Sequence, residues 1–315
     1  MRTRQKTPLV SVILAVDRQR ERGARALASV LAQPRIDECE VLLFDFGRDR
    51  HPPLPGSDHP AVVAVPLRRG WPLGAFRAYA VSLAAAPIVA FLEEHARAGE
   101  GWLDALQHKF PPFAVALGSF PDCASPPTEK SEFMHLTSFA SLRLPSAPSL
   151  VPLLPGHNTA FRREALVALE PRLPHLLADE ALLHRALRDR GGGLFAEPSF
   201  RWSHLSDNRY AARIRALWCL NRSAGDAFRK SFPLSPLRRA LWLGRLPLQP
   251  FVRTVRLLIA VWPSSRQRMI VLRRLPIVLC SNCLNAMAQF IGYCFGAGTA
   301  GQRFADFEMN AERLE

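Results

Sequence analysis

Residues 84–95, AAAPIVAFLEEH, constrain this chain more than any other stretch. Residues 87–92 form a short continuous apolar run, as expected of a strand buried on both faces, and it stops abruptly at Glu93, Glu94 and His95. Burying a charge is costly unless it is paired or bound to a metal, so charges at a strand's end usually lie just outside the core. In open α/β sheets the carboxyl ends of the strands are where ligands bind. Two carboxylates and an imidazole there offer oxygen and nitrogen ligands to a divalent cation. A solvated exit from strand to loop has the same composition, so this stretch alone leaves both readings open.

The surrounding pattern repeats the theme. Residues 9–16, 40–46, 61–67 and 114–120 are further short apolar runs, while 20–33, 74–86 and 102–110 carry helical spacing. Strands alternating with helices predict an α/β body with a mixed, mainly parallel sheet flanked by helices. Residues 121–155 are rich in Pro and Ser without clear periodicity, which predicts a long loop on the substrate side. Two short helices are expected over 156–169 and 176–190, the second stopped by Gly191, Gly192 and Gly193, then a strand over 194–198 and a long amphipathic helix over 207–230.

Charge divides the chain unevenly. Its formal net charge is +14, yet residues 227–305 hold twelve Lys or Arg and no Asp or Glu, which leaves the remainder almost neutral. This places a boundary between a body, 1–226, and a basic, apolar helical region, 227–315. The six cysteines make no disulfide framework in a chain of 315 residues, and Cys280 and Cys283 lack the partners of a zinc site. They are expected to be small buried apolar residues. The basic start at residues 1–6 is followed by a strand-like run rather than a secretory segment, which favours a reducing cytoplasmic setting.

Over residues 8–205 the order PLVSVILAV, ALASVLAQ, EVLLFDFG, LRRGWPLGAFRAYAVSLAAAPIVAFLEEH, GWLDAL, GHNTAFRREAL and LADEALLHRAL resembles the family 2 glycosyltransferases, which have the nucleotide-diphospho-sugar transferase (GT-A) fold. The resemblance implies that Asp45 and Asp17 contact the donor's base or ribose, with Glu94 also on the donor side. It implies that Glu93 and His95 hold a divalent metal, Mn²⁺ or Mg²⁺, against the diphosphate; His204, after the last expected strand, either adds a metal or diphosphate contact or simply packs beside Trp202. Asp179 and Glu180 match the pair whose second carboxylate is the catalytic base, and inverting sugar transfer needs a base within reach of the acceptor hydroxyl. Gly156, His157 and Asn158 match the acceptor-side loop. Three departures stand out: Glu-Glu-His replaces Asp-x-Asp, Asp-Glu replaces Glu-Asp, and Ala15-Val16-Asp17-Arg18 replaces a Pro followed by an aromatic-Asn pair. An imidazole ligand favours Mn²⁺ over Mg²⁺, while weakened metal dependence with His95 touching the phosphate directly is the alternative.

The basic region joins Arg clusters (238–239, 253, 256, 266, 268, 273–274) to Trp- and Leu-bearing stretches, a combination suited to an anionic membrane surface. Residues 275–302 are uncharged and long enough to span, but Asn282, Asn285 and Gln289 share one helical face, which favours a monotopic or packed helix. Packing on the body or on a partner subunit is the competing reading. The apolar content exceeds what a phosphate-tracking surface needs, so nucleic acid is not an expected partner. The sequence thus predicts a nucleotide-sugar donor, a lipid-linked or surface glycan as acceptor, and a peripheral or monotopic enzyme on the cytoplasmic face of the cell membrane. A non-catalytic nucleotide- or glycan-binding protein of the same fold is the alternative that the three departures motivate.

Overall fold

The computed structural model describes residues 7–47, 51–142, 145–155, 158–207 and 209–313. The body begins β1 (Val10–Val16), α1 (Arg20–Leu31), β2 (Cys39–Asp45), β3 (Val62–Pro66), α2 (Leu73–Leu83), β4 (Ile88–Leu92) and β5 (Ala96–Ala98). It continues with α3 (Trp102–His108), β6 (Ala114–Gly118), β7 (Asp122–Cys123), α4 (Glu129–Phe139), β8 (Ser149–Leu150), β9 (Ala160–Arg162) and α5 (Arg163–Val167). After α6 (Leu173–Leu176), α7 (Glu180–Asp189), β10 (Gly193–Ala196) and β11 (Trp202–His204), the long α8 (Tyr210–Ser231) leads into the helical region. That region comprises α9 (Pro236–Arg245), α10 (Gln249–Val261), α11 (Ser265–Leu272), α12 (Leu275–Phe295) and α13 (Ala300–Asn310).

Eight strands form one sheet in the order β3-β2-β1-β4-β9-β6-β10-β8, with only β9 and β8 running against the rest. Side chains alternate as the pleat requires. Val41 and Leu43 pack on the face covered by Leu27 and Trp102, while Leu42 and Phe44 pack on the face covered by Phe76 and Phe161. Register sets the site: Val16 lies opposite Asp45 and Leu14 opposite Leu92, so β1, β2 and β4 end side by side. A second sheet of three strands, β5-β11-β7, covers that end.

Two expectations are corrected. The stretch expected as a helix over 156–169 contains β9, which pairs antiparallel with both β4 and β6 at the centre of the sheet before α5 begins. A three-residue strand followed at once by a helix carries no readable period. Residues 121–155 are not one long loop: they contain β7, α4 and β8. Thr128 and Ser131 cap α4 reciprocally, which satisfies donors at its first turn. The cysteines differ as well, since Cys39 is buried whereas Cys123, Cys280, Cys283 and Cys294 are exposed.

The helical region is anchored by close backbone approach. α12 crosses α8 at Gly292 and Gly225, where a Cβ on either glycine would run into the facing chain, at the carbonyl of Arg222 or of Gln289. α12 is long and apolar enough to cross a membrane, with a mean hydropathy of 1.4, but 28% of its apolar window is buried against the protein. α13 then turns back and lies against α2 and α8, which carries Asp306 and Glu308 toward the body.

Candidate active site

The end of β4 delivers Glu93, Glu94 and His95 in sequence, and pairing of β5 with β11 brings His204 beside them, with Leu205 N–H donating to the His95 carbonyl. The Nε2 atoms of His95 and His204 are 3.0 Å apart. Glu93 Oε2 lies 3.2 Å from His95 Nε2 and 3.8 Å from His204 Nε2. One ligand atom from each of the three therefore falls within 4.8 Å of the others. Two imidazole nitrogens and a carboxylate oxygen converging this way fit a borderline divalent metal. Behind them Glu94 accepts from His95 Nδ1 at 3.1 Å, which fixes the ring and leaves Nε2 facing the cluster.

The electrostatics separate the two histidines. For His204, burial and then the neighbouring His95 push the pKa well below its ordinary value. For His95, burial and Arg313 oppose the charge, but Glu94 and Glu93 outweigh them and raise its pKa.

Asn158, expected on the acceptor side, is fully buried and clamps Glu93: its Oδ1 accepts from Glu93 N–H at 3.0 Å and its Nδ2 donates to Glu93 Oε2 at 3.3 Å. His157 lies outside the described residues. Asp45, at the end of β2, is paired with Arg20 at 2.5 Å. Asp17 accepts from Arg69 Nε at 2.8 Å and from the Asn310 side-chain amide at 3.0 Å. Glu94 is ion-paired with buried Arg22 at 3.0 Å.

Asp179 caps α7 by accepting from Leu182 N–H at 3.0 Å, and burial, together with the adjacent Glu180, raises its pKa. Glu180, the first residue of α7, lines a cavity of about 550 Å³ whose wall also includes Glu93 and His204. The expected metal cluster and the expected base therefore face one space. Helices α10 and α12 complete that wall with Arg253, Arg256, Asn282 and Asn285.

Sequence reasoning missed the end of α13 and the segment that follows it. Asn310 engages Asp17 through its side chain and receives Arg18 N–H on its Oδ1 at 3.1 Å, while Arg22 donates to the Ala311 carbonyl at 2.7 Å. Arg313 is buried against Asp207 and lies 3.5 Å from Glu308, whose carboxylate is 3.8 Å from His95 Nε2. Beside the ends of β1 and β4 lies a small cavity of about 30 Å³, between residues such as Phe76, Phe91, Glu308 and Met309. That is the space of a single water. The available signal was the return of acidic residues after 305, in ADFEMNAERLE.

A mixed, mainly parallel sheet flanked by helices is a GT-A-like α/β fold, and a solved structure agrees. A mannosyltransferase from Pyrobaculum calidifontis, in complex with GDP-mannose and Mn²⁺, superposes with a TM-score of 0.56 over 92% of this chain and 88% of its own, at 16% identity. GalNAc-T7, solved with UDP, GalNAc and Mn²⁺, is also similar at 16% identity, but with a TM-score of 0.47 over 64% of this chain and 44% of that one, too slight to argue from. No family profile matches the chain, and no curated protein does.

Proposed function

We propose that this protein is an inverting, family 2-like glycosyltransferase that moves a sugar from a nucleotide-sugar donor to a hydroxyl of a lipid-linked or surface glycan acceptor. One observation carries this reading: a single cavity joins Glu93 and His204 of the cluster to Glu180 at the start of α7. The likeness to a mannosyltransferase bound to GDP-mannose and Mn²⁺ supports the donor class. Asp17 and Asp45 belong to the nucleotide side. A divalent metal, Mn²⁺ or Mg²⁺, held by Glu93, His95 and His204 would supply charge neutralisation for the diphosphate. Glu94 and Asn158 are positioning residues, because each holds a cluster side chain by hydrogen bonds. Glu180 accepts the proton of the acceptor hydroxyl, and Asp179 acts beside it as the cap of α7. The region 227–315 is assigned to a membrane surface on the cytoplasmic side, in a peripheral or monotopic arrangement.

The non-catalytic reading has its own observation. The donor-side crevice is filled by the segment around Asn310, which occupies the carboxylate of Asp17. A thermal-shift series with UDP, GDP, CDP, TDP and ADP, each with and without Mn²⁺, separates the two. Mn²⁺-dependent stabilisation by one nucleotide is the expected result, and no stabilisation by any of them moves the assignment to a binding protein. In the same protein Glu180→Gln should lower transfer by about 10³-fold, the usual contribution of a general base, with nucleotide stabilisation intact. Unchanged turnover in that variant removes Glu180 from the role.

A further inference from the structure

The large cavity is lined by four arginines and four carboxylates, Glu93, Glu180, Asp207 and Glu308, but their pairing is uneven. Of its four arginines, Arg213 and Arg313 share Asp207, at 3.4 Å in the case of Arg213. Among the described residues neither Arg253 nor Arg256 has a carboxylate at ion-pair distance. Arg253 donates only to Asn221 Oδ1, at 3.4 Å. Burial lowers its pKa, with Asp179 acting against and Arg256 with that shift. Arg253 is half-buried and Arg256 is exposed, so two guanidinium groups without a close carboxylate stand at one place, where an arriving anion can engage both.

The place of these two residues on α10 says where the anion comes from. At 3.6 residues per turn, Thr254, Leu257 and Val261 fall on the buried stripe, and Phe251, Val255 and Ile259 fall on the opposite, exposed one. Arg253 and Arg256, three positions apart, lie on the border between the two. Arg256 and Ile277 both line the cavity and are exposed, so the cavity opens where α10 and α12 present their exposed apolar side chains. Charge and apolar surface meet at the mouth.

We propose that the acceptor is an anionic phospholipid whose headgroup carries a free hydroxyl. It enters from the bilayer through this mouth, with its phosphate on Arg253 and Arg256 and its hydroxyl toward Glu180. This rests on the transferase reading and names its acceptor class. In the reaction the bond between the anomeric carbon and the donor's phosphate oxygen breaks, and a bond to the headgroup oxygen forms. The headgroup proton passes to Glu180, and the nucleoside diphosphate leaves with the bonding electron pair. Paired guanidinium groups suit a phosphate because their planar forks match its oxygens.

The test needs no donor. The full chain is transferred from micelles holding equal phosphatidylglycerol and phosphatidylcholine, and retained lipid is counted by native mass spectrometry. Phosphatidylglycerol should be retained about tenfold over phosphatidylcholine, the discrimination expected of charged hydrogen bonds. Arg253→Gln with Arg256→Gln should abolish the preference, and the corresponding lysine pair should keep part of it, which separates lost charge from lost fold. Equal retention by the unaltered protein overturns the proposal. So does equal loss in Arg238→Gln with Arg239→Gln, which changes exposed arginines outside the cavity. Glycerol phosphate that displaces phosphatidylglycerol at equal concentration marks a soluble phosphate ester as the ligand and overturns the lipid assignment. Failure here leaves the nucleotide series unaffected, so the two readings fail separately.

Discussion

The two sides of the cluster formed by Glu93, His95 and His204 are built on opposite principles. Toward β1 and β2 the chain closes on itself: Asp17, Asp45 and Glu94 each have a guanidinium partner, and a cavity of only about 30 Å³ lies beside them. Toward α10 and α12 a cavity of about 550 Å³ remains, with two guanidinium groups lacking a carboxylate partner among the described residues. The closed side satisfies its buried charges within the chain, whereas on the open side half-buried Arg253 and exposed Arg256 are left to water or a ligand. Matched charges make a structural lock, whereas unmatched ones define a binding surface.

The contrast breaks first at Arg313, whose side chain is 2% exposed. Arg313 stands in the wall of the large cavity, and Arg313→Gln leaves Asp207 to Arg213 alone and takes a cation from beside Glu308. Stability should fall by about 3–5 kcal/mol, as when one partner of a buried pair is removed. A denaturant midpoint equal to that of the unaltered protein would mean that this wall of the cavity is not held by its ion pairs.

His184 sharpens the picture on the open side. It sits one turn after Glu180 on the buried face of α7, its ring stacked on Phe161, and neither ring nitrogen has a hydrogen-bond partner. Burial pushes its pKa down to about 4. The folded state therefore holds His184 neutral while the unfolded chain takes up a proton below its ordinary value. Stability should decline as pH falls from about 6.5 to about 4, by about 3 kcal/mol from this residue. His184→Leu should reduce the acid slope by one proton in melts across that range, and an unaltered slope would show that α7 is not held by the neutral ring.

The smallest expected effect belongs to Glu94, which lies between the two sides because it serves both Arg22 and His95. Glu94→Gln keeps the shape but weakens the orientation of the His95 ring. Affinity for Mn²⁺, read by titration calorimetry without nucleotide, should fall by about 10–100-fold, the usual cost of losing a carboxylate behind a metal-binding histidine. An unchanged affinity would detach Glu94 from the cluster.

Much of the body was legible because its strands are continuous apolar runs and its longer helices are periodic. β1, β2 and β4 lie within a residue or two of expectation, and their shared carboxyl edge followed from alternation alone. β9 was not legible, since a three-residue strand takes its identity from the two neighbours that flank it. α4 was hidden by the Pro- and Ser-rich residues around it, although its Thr128 and Ser131 cap is a local signal. Of the cluster, Glu93 and His95 stood out because charge ends an apolar run, whereas His204 joined them only through pairing of β11 with β5.

By itself the sequence determined the alternation of strands and helices, the edge at which charge gathers, and the cationic excess of residues 227–305. Those properties follow from local composition and period, which act within a few residues. Tertiary structure alone decided that Asn310 reaches Asp17, that Arg313 lies against Asp207, and that Arg253 shares a cavity with Glu180. Each of these contacts joins residues more than seventy positions apart, and two of them more than a hundred. No local pattern encodes them, because they depend on how α8, α12 and α13 pack, and that rests on glycines small enough to let two helix backbones touch.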